Sequence, residues 1–265
     1  VNMDRNIFKN DGRLKIIKND RVYVLPDGWE LDDAGSYDFS LKLQDRAFAH
    51  GSYAVGDGYV KGRSIKVSFD LKRESEKDHD QIVNEAYQAF AQRDYVLHTG
   101  RPDRCFKVAG ISKLKHKYQK GFKQRWSDIE ISLLLADPFR YATASTLRKT
   151  VFEELQSGTE ISIHSEASVD VPLIFTFRPF EGQSMPDISI VHVESGESFR
   201  LRDTLLTAPA AAVVNGETGT VRRGSANSLN TFSGLFLHAA PGRNTYKYTG
   251  SAGEVDIQFT ERWFV

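Results

Sequence analysis

Residues 63–93 read RSIKVSFDLKRESEKDHDQIVNEAYQAFAQR, and this stretch decides the fold. In its first part the apolar residues Ile65, Val67 and Phe69 alternate with other residues. This period of two predicts a β-strand with one buried face and one solvated face. From about residue 74 to residue 93 the apolar residues are three or four positions apart, which is the spacing of one face of a helix. The stretch therefore predicts a β-sheet that is crossed by one helix.

The predicted helix, residues 74–93, is supported by an apolar stripe and by the charges at its start. Glu76, Asp78 and Asp80 lie in its first turns, where acidic side chains interact favourably with the helix dipole. We expect no other substantial helix in the chain. The stripe that would face the sheet consists of Ile82, Val83, Ala86, Tyr87 and Phe90.

The rest of the chain is dominated by short alternating segments that Gly, Asn, Asp and Pro separate. Between Ser127 and Leu133, for example, apolar and polar residues alternate throughout. Such a pattern is typical of sandwiches and barrels rather than of βαβ units, so the predicted fold class is mainly β with one main helix. Eight further strands are predicted at residues 160–164, 171–177, 188–193, 198–201, 211–214, 235–239, 244–248 and 255–259.

A change in pattern near residues 137–150, DPFRYATASTLRKT, predicts a connection between two domains. The first domain, residues 1–144, would contain a β-sheet, the helix and a long hairpin. The second domain, residues 145–265, would be a compact β-sandwich. A chain of 265 residues is long enough for two such domains.

The overall charge excludes some classes of function. The chain has 35 basic and 35 acidic side chains, so no global field draws it to nucleic acid or to an anionic membrane. No apolar run approaches the roughly 20 residues that cross a bilayer, and the N-terminus lacks a secretion pattern. The single cysteine, Cys105, cannot form a disulfide within the chain. We therefore expect a protein without membrane insertion, stabilised by packing alone.

Residues that could carry catalysis or bind a metal are scattered. None of the seven histidines is part of an HExxH or His-x-His motif. His164, His192 and His238 each fall in a predicted strand and could meet on one sheet face, but surface or core roles are expected for them. Arg101 and Arg104 could lower the pKa of Cys105, although a buried, inert thiol is the expected state. The sequence predicts no catalytic residue, no metal site and no cofactor.

Two glycine-containing segments, GSYAVGDGYVKGR and NGETG, lack the spacing of a phosphate-binding loop or a dinucleotide fingerprint. Asn-Gly and Asp-Gly tolerate the positive φ angles of tight turns. Both segments are therefore interpreted as hairpin turns.

Residues 101–125, RPDRCFKVAGISKLKHKYQKGFKQR, contain nine Lys and Arg residues and one Asp. They predict a long hairpin with a basic tip at residues 113–123. The lysines could protect an edge strand from aggregation, or the hairpin could bind an acidic surface of a neighbouring subunit, such as the helix start at residues 74–80. Nucleic-acid contact, aided by Tyr118, Phe122 and Trp126, is a third alternative. The candidate contact residues are Lys113, Lys115, Lys117, Lys120, Lys123, Arg125, Glu74, Glu76 and Asp78.

The order of these features resembles the distal tail protein (Dit) family of long-tailed, siphovirus-like bacteriophages and prophages. The matching pieces of the first half are GDGYVKGRSIKVSFDLKRE, HDQIVNEAYQAF, the basic hairpin and IEISLLLADPFRY. The second half adds VVNGETG, GLFLHAAPGRNTYKYTG and EVDIQF. The resemblance covers most of the chain, and its weight lies in the order and spacing of these pieces.

The resemblance implies a non-enzymatic virion protein, made in the host cytoplasm, that forms a homohexameric hub ring between the tail tube and the host-adsorption tip. It implies that the N-terminal domains build the ring and that galectin-like C-terminal sandwiches point outward. The implied partners are further copies of the chain, the tail tube protein and the tail-tip or adsorption proteins. Nucleic acid would meet the protein only by passing through the channel.

Three alternatives stay open at this point. The strongest is a carbohydrate-binding β-sandwich that acts in host-surface attachment, with Trp263, Tyr246 and Tyr248 as candidate sugar-stacking residues. An enzyme on a β scaffold would need an acid, a base and a nucleophile that converge, which no motif supplies. A tube protein of a contractile system also combines sheets with a helix, but a second sandwich argues against it.

Overall fold

The computed structural model describes residues 12–19, 21–101, 103–143 and 148–265. The chain separates into two compact units, the first ending at Thr143 and the second at Phe264. The predicted boundary at residues 144 and 145 lies outside the described residues. Each unit has its own apolar core.

The first unit contains one α-helix and eleven strands in the part that is described. Its strands form a five-stranded array in the order β2-β1-β7-β8-β11, a four-stranded sheet in the order β3-β6-β10-β9, and the separate pair β4-β5. The elements are β1 (Leu14–Lys18), β2 (Arg21–Val24), β3 (Glu30–Asp33), β4 (Phe39–Asp45), β5 (Ser52–Val60), β6 (Arg63–Lys72), α1 (Glu76–Phe90), β7 (Tyr95–Thr99), β8 (Arg104–Val108), β9 (Gly110–Tyr118), β10 (Trp126–Leu135) and β11 (Arg140–Ala142).

The centre of this unit is the antiparallel pair β6-β10, whose alternation buries one face of each strand. Phe69 lies opposite Ile129, and Val67 lies opposite Ile131. All four side chains are buried, as are those of the helix residues Val83, Ala86, Ala89 and Phe90. The apolar stripe that the sequence predicts is therefore the surface that α1 packs onto the sheet.

The helix is shorter than the predicted residues 74–93, and its start is set by a side-chain cap. The hydroxyl of Ser75 accepts a hydrogen bond of 3.1 Å from the backbone N–H of Asp78, which satisfies one of the unpaired amides of the first turn. Glu76 and Asp78 are in this turn, as predicted. The helix ends at Phe90.

The second unit is a β-sandwich. Its two large sheets have the strand orders β12-β24-β15-β18-β19-β20 and β13-β23-β16-β17-β21, and β14 pairs with β22. The strands are β12 (Arg148–Leu155), β13 (Glu160–Ser165), β14 (Val171–Pro172), β15 (Ile174–Pro179), β16 (Asp187–His192), β17 (Ser198–Arg202), β18 (Ala212–Asn215), β19 (Thr220–Arg223), β20 (Ala226–Asn227), β21 (Phe232–Gly234), β22 (His238–Ala239), β23 (Gly242–Gly250), β24 (Gly253–Phe259) and β25 (Arg262–Trp263).

The sandwich core is built from aromatic side chains that both sheets contribute. Phe175 of β15 contacts Phe199 of β17 and Tyr246 of β23, with ring centroids 5.4 and 6.0 Å apart. These rings are buried, as the alternation along their strands requires. The mainly β fold class with one helix is confirmed.

The interpretation of GSYAVGDGYVKGR as turns is wrong, because most of this segment is the strand β5. Gly56 and Gly58 lie inside the strand with positive φ angles of 134° and 73°. A Cβ atom on Gly56 would collide with the carbonyl oxygen of Ser40 on β4. Glycine here permits close approach of two strands rather than a chain reversal.

Among the described residues, no helix combines the length and the apolar character that crossing a membrane requires.

We expect replacement of Phe90 by Ala to lower the free energy of unfolding by about 3–5 kcal/mol, because it would leave a cavity in the core. Phe90 is buried and contacts Trp29, with 5.2 Å between ring centroids. The matched control is Phe48→Ala, since Phe48 is fully exposed. Urea titration of dilute protein, followed by tryptophan fluorescence, measures both variants. Equal stability of the two variants would contradict the assignment of Phe90 to the core.

Candidate functional site

The basic hairpin of the sequence is formed by β9, the turn at residues 119–125, and β10. Lys113, Lys115 and Lys117 lie on the edge strand β9 rather than at a tip, which corrects the predicted tip at residues 113–123. Lys117 lies opposite Asp128, and Lys115 lies opposite Glu130. Lys115 and Lys117 therefore lie opposite carboxylates of their own sheet.

The ion pair of Lys115 with Glu130 is exposed, with 3.5 Å between Nζ and Oε2. Exposed pairs of this kind contribute little stability, roughly 0–1 kcal/mol. Lysines on an edge strand do oppose sheet-to-sheet aggregation. The structure thus gives β9 the features of a protected edge.

The turn of this hairpin lies against the helix start of its own chain. Arg125 donates a hydrogen bond of 3.2 Å to the carbonyl oxygen of Glu74, and the backbone N–H of Arg73 donates to the carbonyl oxygen of Arg125 at 2.9 Å. The turn thus contacts the helix start of its own chain, and binding of the hairpin to a neighbouring subunit stays a prediction. Lys120, Lys123, Glu76 and Asp78 are exposed near this turn, and their role as partner contacts stays a prediction.

The aromatic residues of the turn are engaged with one another. Phe122 and Trp126 contact edge to face at 4.5 Å, and the Nζ atom of Lys72 lies 4.9 Å from the centre of the Trp126 ring. These contacts give Phe122 and Trp126 a structural role.

The strand pair β4-β5 is separate from the larger sheets of the unit, and we call it the apolar arm (residues 39–60). Among the described residues its two strands pair only with each other. A two-stranded sheet without further packing is marginally stable in water. More than a third of the surface is exposed on seven of its large apolar side chains, namely Phe39, Leu41, Leu43, Phe48, Tyr53, Val55 and Tyr59.

Both faces of the apolar arm are exposed, and on one of them two leucines have small cross-strand partners. Leu41 lies opposite Gly56, and Leu43 lies opposite Ala54. The tip between the strands carries Phe48, which is fully exposed. Exposed apolar patches of this kind mark sites of interaction. Sequence analysis missed the arm because its glycines were interpreted as turns.

A second feature of the first unit is an apolar groove of about 390 Å³. Strands β7 and β8 contribute Tyr95, Val96 and Val108, and the adjoining loops contribute Ala109 and Ala136. The charged residues around these apolar ones are Asp94, Lys107 and Asp137. The groove and the apolar arm are thus two distinct apolar surfaces of one unit.

Two arrangements of serine, histidine and carboxylate were not foreseen from the sequence. In the first, His79 of α1 lies 2.8 Å from the hydroxyl of Ser127 and 3.4 Å from Asp80 Oδ1. Both His79 and Ser127 are completely buried, so a substrate has no access to the hydroxyl. The ring of His116 lies 5.8 Å from that of His79, and burial together with this neighbour lowers the pKa of His116.

The second arrangement closes the turn between β16 and β17. His192 Nδ1 lies 2.8 Å from the hydroxyl of Ser195, and Nε2 lies 3.1 Å from Glu194 Oε2. The same hydroxyl accepts a hydrogen bond of 3.2 Å from the backbone N–H of Glu197. These contacts fix the turn, which explains the arrangement without a reaction.

The three strand histidines do not meet on one sheet face. His192 is buried and stacks on Tyr246 at 4.9 Å, whereas His164 and His238 are exposed. Within the described ranges, no three His, Cys, Asp or Glu side chains are placed to hold a metal ion together.

Cys105 is buried on β8, with its Sγ atom 3.5 Å from the carbonyl oxygen of Tyr141. Burial raises the pKa of the thiol to about 11, and the charge of Lys107 opposes this shift only in part. The idea that Arg101 and Arg104 lower this pKa is wrong, because loss of hydration dominates.

The candidate sugar-stacking residues are not available for stacking, which corrects that prediction. Tyr246 and Tyr248 point into the sandwich core and are fully buried, and Trp263 is only 8% exposed. Trp263 donates from Nε1 to the carbonyl oxygen of Glu166 at 2.8 Å. A sugar ring needs an open aromatic face, and these three side chains offer none.

Comparison with known proteins identifies the fold. No family model matches the sequence, and no curated protein matches it. Among solved structures, the Dit protein of phage SPP1 is similar, with a TM-score of 0.70 and 9% sequence identity. The match covers 94% of this chain and 98% of that one. The chain has the Dit fold. The activated baseplate of phage P2 also matches, over 94% of this chain and 97% of that one, with 9% identity and a TM-score of 0.47.

We expect Lys117→Glu to lower the free energy of unfolding by roughly 0.2–1 kcal/mol, because the new carboxylate would lie opposite Asp128. Added salt should reduce this loss, since the charges are exposed. Lys113→Glu is the matched control, because Lys113 lies opposite the uncharged Ser132. Urea titrations at low and high salt measure both variants. An equal effect of the two changes would contradict the register of β9 with β10.

Proposed function

We propose that this protein is a structural component of a bacteriophage tail, a distal tail protein. The observation that carries the proposal is the similarity to the SPP1 Dit protein, which spans 94% of this chain and therefore includes both units. The order of motifs along the sequence supports it independently of the coordinates.

The position that we propose within the tail rests on analogy with the same protein. The SPP1 Dit protein is described as a paradigm of the hub adsorption apparatus in phages that infect Gram-positive bacteria. A hub role together with the family resemblance of the sequence leads us to propose that six copies of this chain form a ring between the tail tube and the adsorption tip. Its partners are then other copies, the tail tube protein and the tip or adsorption proteins, and its location is the virion after synthesis in the host cytoplasm.

Self-association has physical support in the first unit. The apolar arm exposes a row of large side chains, which is a liability for a protein that stays monomeric. Among the described residues, β2, β3 and β9 each lie at an outer position of their sheet. A formal net charge of zero leaves little long-range repulsion between copies.

A structural role is favoured over catalysis by the state of the reactive groups. The buried hydroxyl of Ser127 and the turn-bound hydroxyl of Ser195 are both held by contacts that the fold requires. Burial keeps the Cys105 thiol in its protonated, weakly nucleophilic form. Nucleophilic catalysis by any of these three groups would require that the group be open to a substrate.

We expect the purified protein to form particles of six copies at raised concentration. Native mass spectrometry counts the copies, and negative-stain electron microscopy shows whether the particles are sixfold rings. Mixing with a tail tube protein should stabilise the rings if the hub position is right. A dimer that persists at all concentrations would contradict the proposal, because two copies cannot surround a tail channel.

A further inference from the structure

We propose that three arginines of the first unit, Arg101, Arg104 and Arg140, bind a phosphate group, and we call them the arginine cluster. The inference goes beyond the proposed function and does not depend on it, since it uses only contacts within the first unit. Two sources of such a group are a free phosphate ion and the backbone of a nucleic acid, and the experiment distinguishes them.

Strand pairing brings two members of the arginine cluster to one face of their sheet. Arg140 of β11 lies opposite Phe106 of β8, and Arg104 of β8 lies opposite Ala142 of β11. Residues directly opposite each other share a face of the sheet, so Arg104 and Arg140 are diagonal neighbours, about 7–8 Å apart. Two side chains of this length can reach one ligand that lies between them.

Asp103 connects Arg101 to this pair. Its Oδ2 atom accepts hydrogen bonds from Nη2 of Arg101 at 3.3 Å and from Nε of Arg104 at 3.1 Å. The side chains of Arg101 and Asp103 are 44% and 41% exposed, so a ligand in solution can reach the arginine cluster. Asp103 supplies one negative charge beside three guanidinium groups.

Arg140 is the member of the cluster that lacks a polar partner. Its Nε atom is buried and has no hydrogen-bond partner among the described residues. The guanidinium carbon lies 4.8 Å from the centre of the Phe106 ring, a contact that holds the group in place but leaves its charge unneutralised. The residue as a whole is only partly buried, so part of it stays open to a ligand.

The charges around Arg140 have the same sign as its own. Burial lowers the pKa of Arg140, and the positive charge of Arg101 lowers it further. Arg63 and Arg104 act in the same direction. Among the described residues Tyr37 alone opposes these effects, and no carboxylate does. Like charges in a partly buried site repel one another, and a bound anion would remove this repulsion.

A phosphate group suits the arginine cluster better than a carboxylate does. The oxygens of a phosphate point to the corners of a tetrahedron, so they can accept hydrogen bonds from guanidinium groups on different sides. A carboxylate has two oxygens in one plane, which suits a single guanidinium. The planar fork of arginine matches phosphate oxygens in pairs, which makes arginine the preferred residue for recognising phosphate.

Titration of the purified protein with inorganic phosphate tests the site, with sodium chloride at equal ionic strength as the baseline. Phosphate should raise the Tm to a plateau, because a ligand that binds the folded state stabilises it. Isothermal titration calorimetry should show that Arg140→Gln weakens phosphate binding by about tenfold or more, because a charge-assisted hydrogen bond is lost. Arg73→Gln is the matched control, since Arg73 is an exposed arginine of the same unit.

Arg101→Gln provides a second variant in case Arg140→Gln does not fold. Arg101 is exposed, so its replacement leaves the core intact. It should also weaken phosphate binding, whereas Arg73→Gln should bind phosphate as the wild-type protein does. Equal phosphate binding by all three variants, or no binding by the wild-type protein, would overturn the site.

A short fluorescent single-stranded DNA separates the two sources of the phosphate group. Binding of inorganic phosphate without binding of the DNA would identify a free anion as the ligand. DNA binding that Arg140→Gln or Arg101→Gln weakens, and Arg73→Gln does not, would identify a backbone phosphate. Sodium acetate that raises the Tm as much as phosphate does would overturn the choice of phosphate. None of these results affects the hub assignment, which the number of copies in the particles tests.

Discussion

The antiparallel pairing of β6 with β10 is the contact on which the rest of the first unit depends. Its register places Phe69 opposite Ile129 and Ile65 opposite Leu133, so both strands bury the same face. A shift by one residue would turn these side chains to solvent and remove the surface on which α1 packs. The same pairing leaves β9 and β3 at the two edges of the sheet.

Elements with strong local periodicity could be predicted from the sequence. The helix is predictable because its apolar residues recur about every 3.6 residues, and the strands β6 and β10 are predictable because theirs recur every 2 residues. The strand β5 was missed because Gly56 and Gly58 resemble turn residues, although both lie inside the strand and Gly56 permits a close approach to β4. The alternation in β23 places Tyr246 and Tyr248 on one face, but it is the fold that makes this face part of the core.

The candidate site depends on contacts between distant residues, which local patterns do not encode. The proximity of His79 to His116 arises because β9 places alternate side chains on the helix side of the sheet. Likewise, Arg125 meets Glu74 because the turn of the hairpin folds against the helix start. The signal for the apolar arm was present in Leu41 and Leu43, which alternate with polar residues. Periodicity alone could not show that none of the described residues covers them.

The first unit thus combines a complete core with an apolar arm that its own described residues do not cover. Hydrogen exchange at the backbone amides of β4 and β5 tests this most directly, because it compares the arm in dilute and in assembled protein. Slow exchange of these amides in the assembled form and fast exchange in the dilute form are expected, with α1 protected in both. Equal exchange rates of the arm in the two forms would contradict its burial between copies.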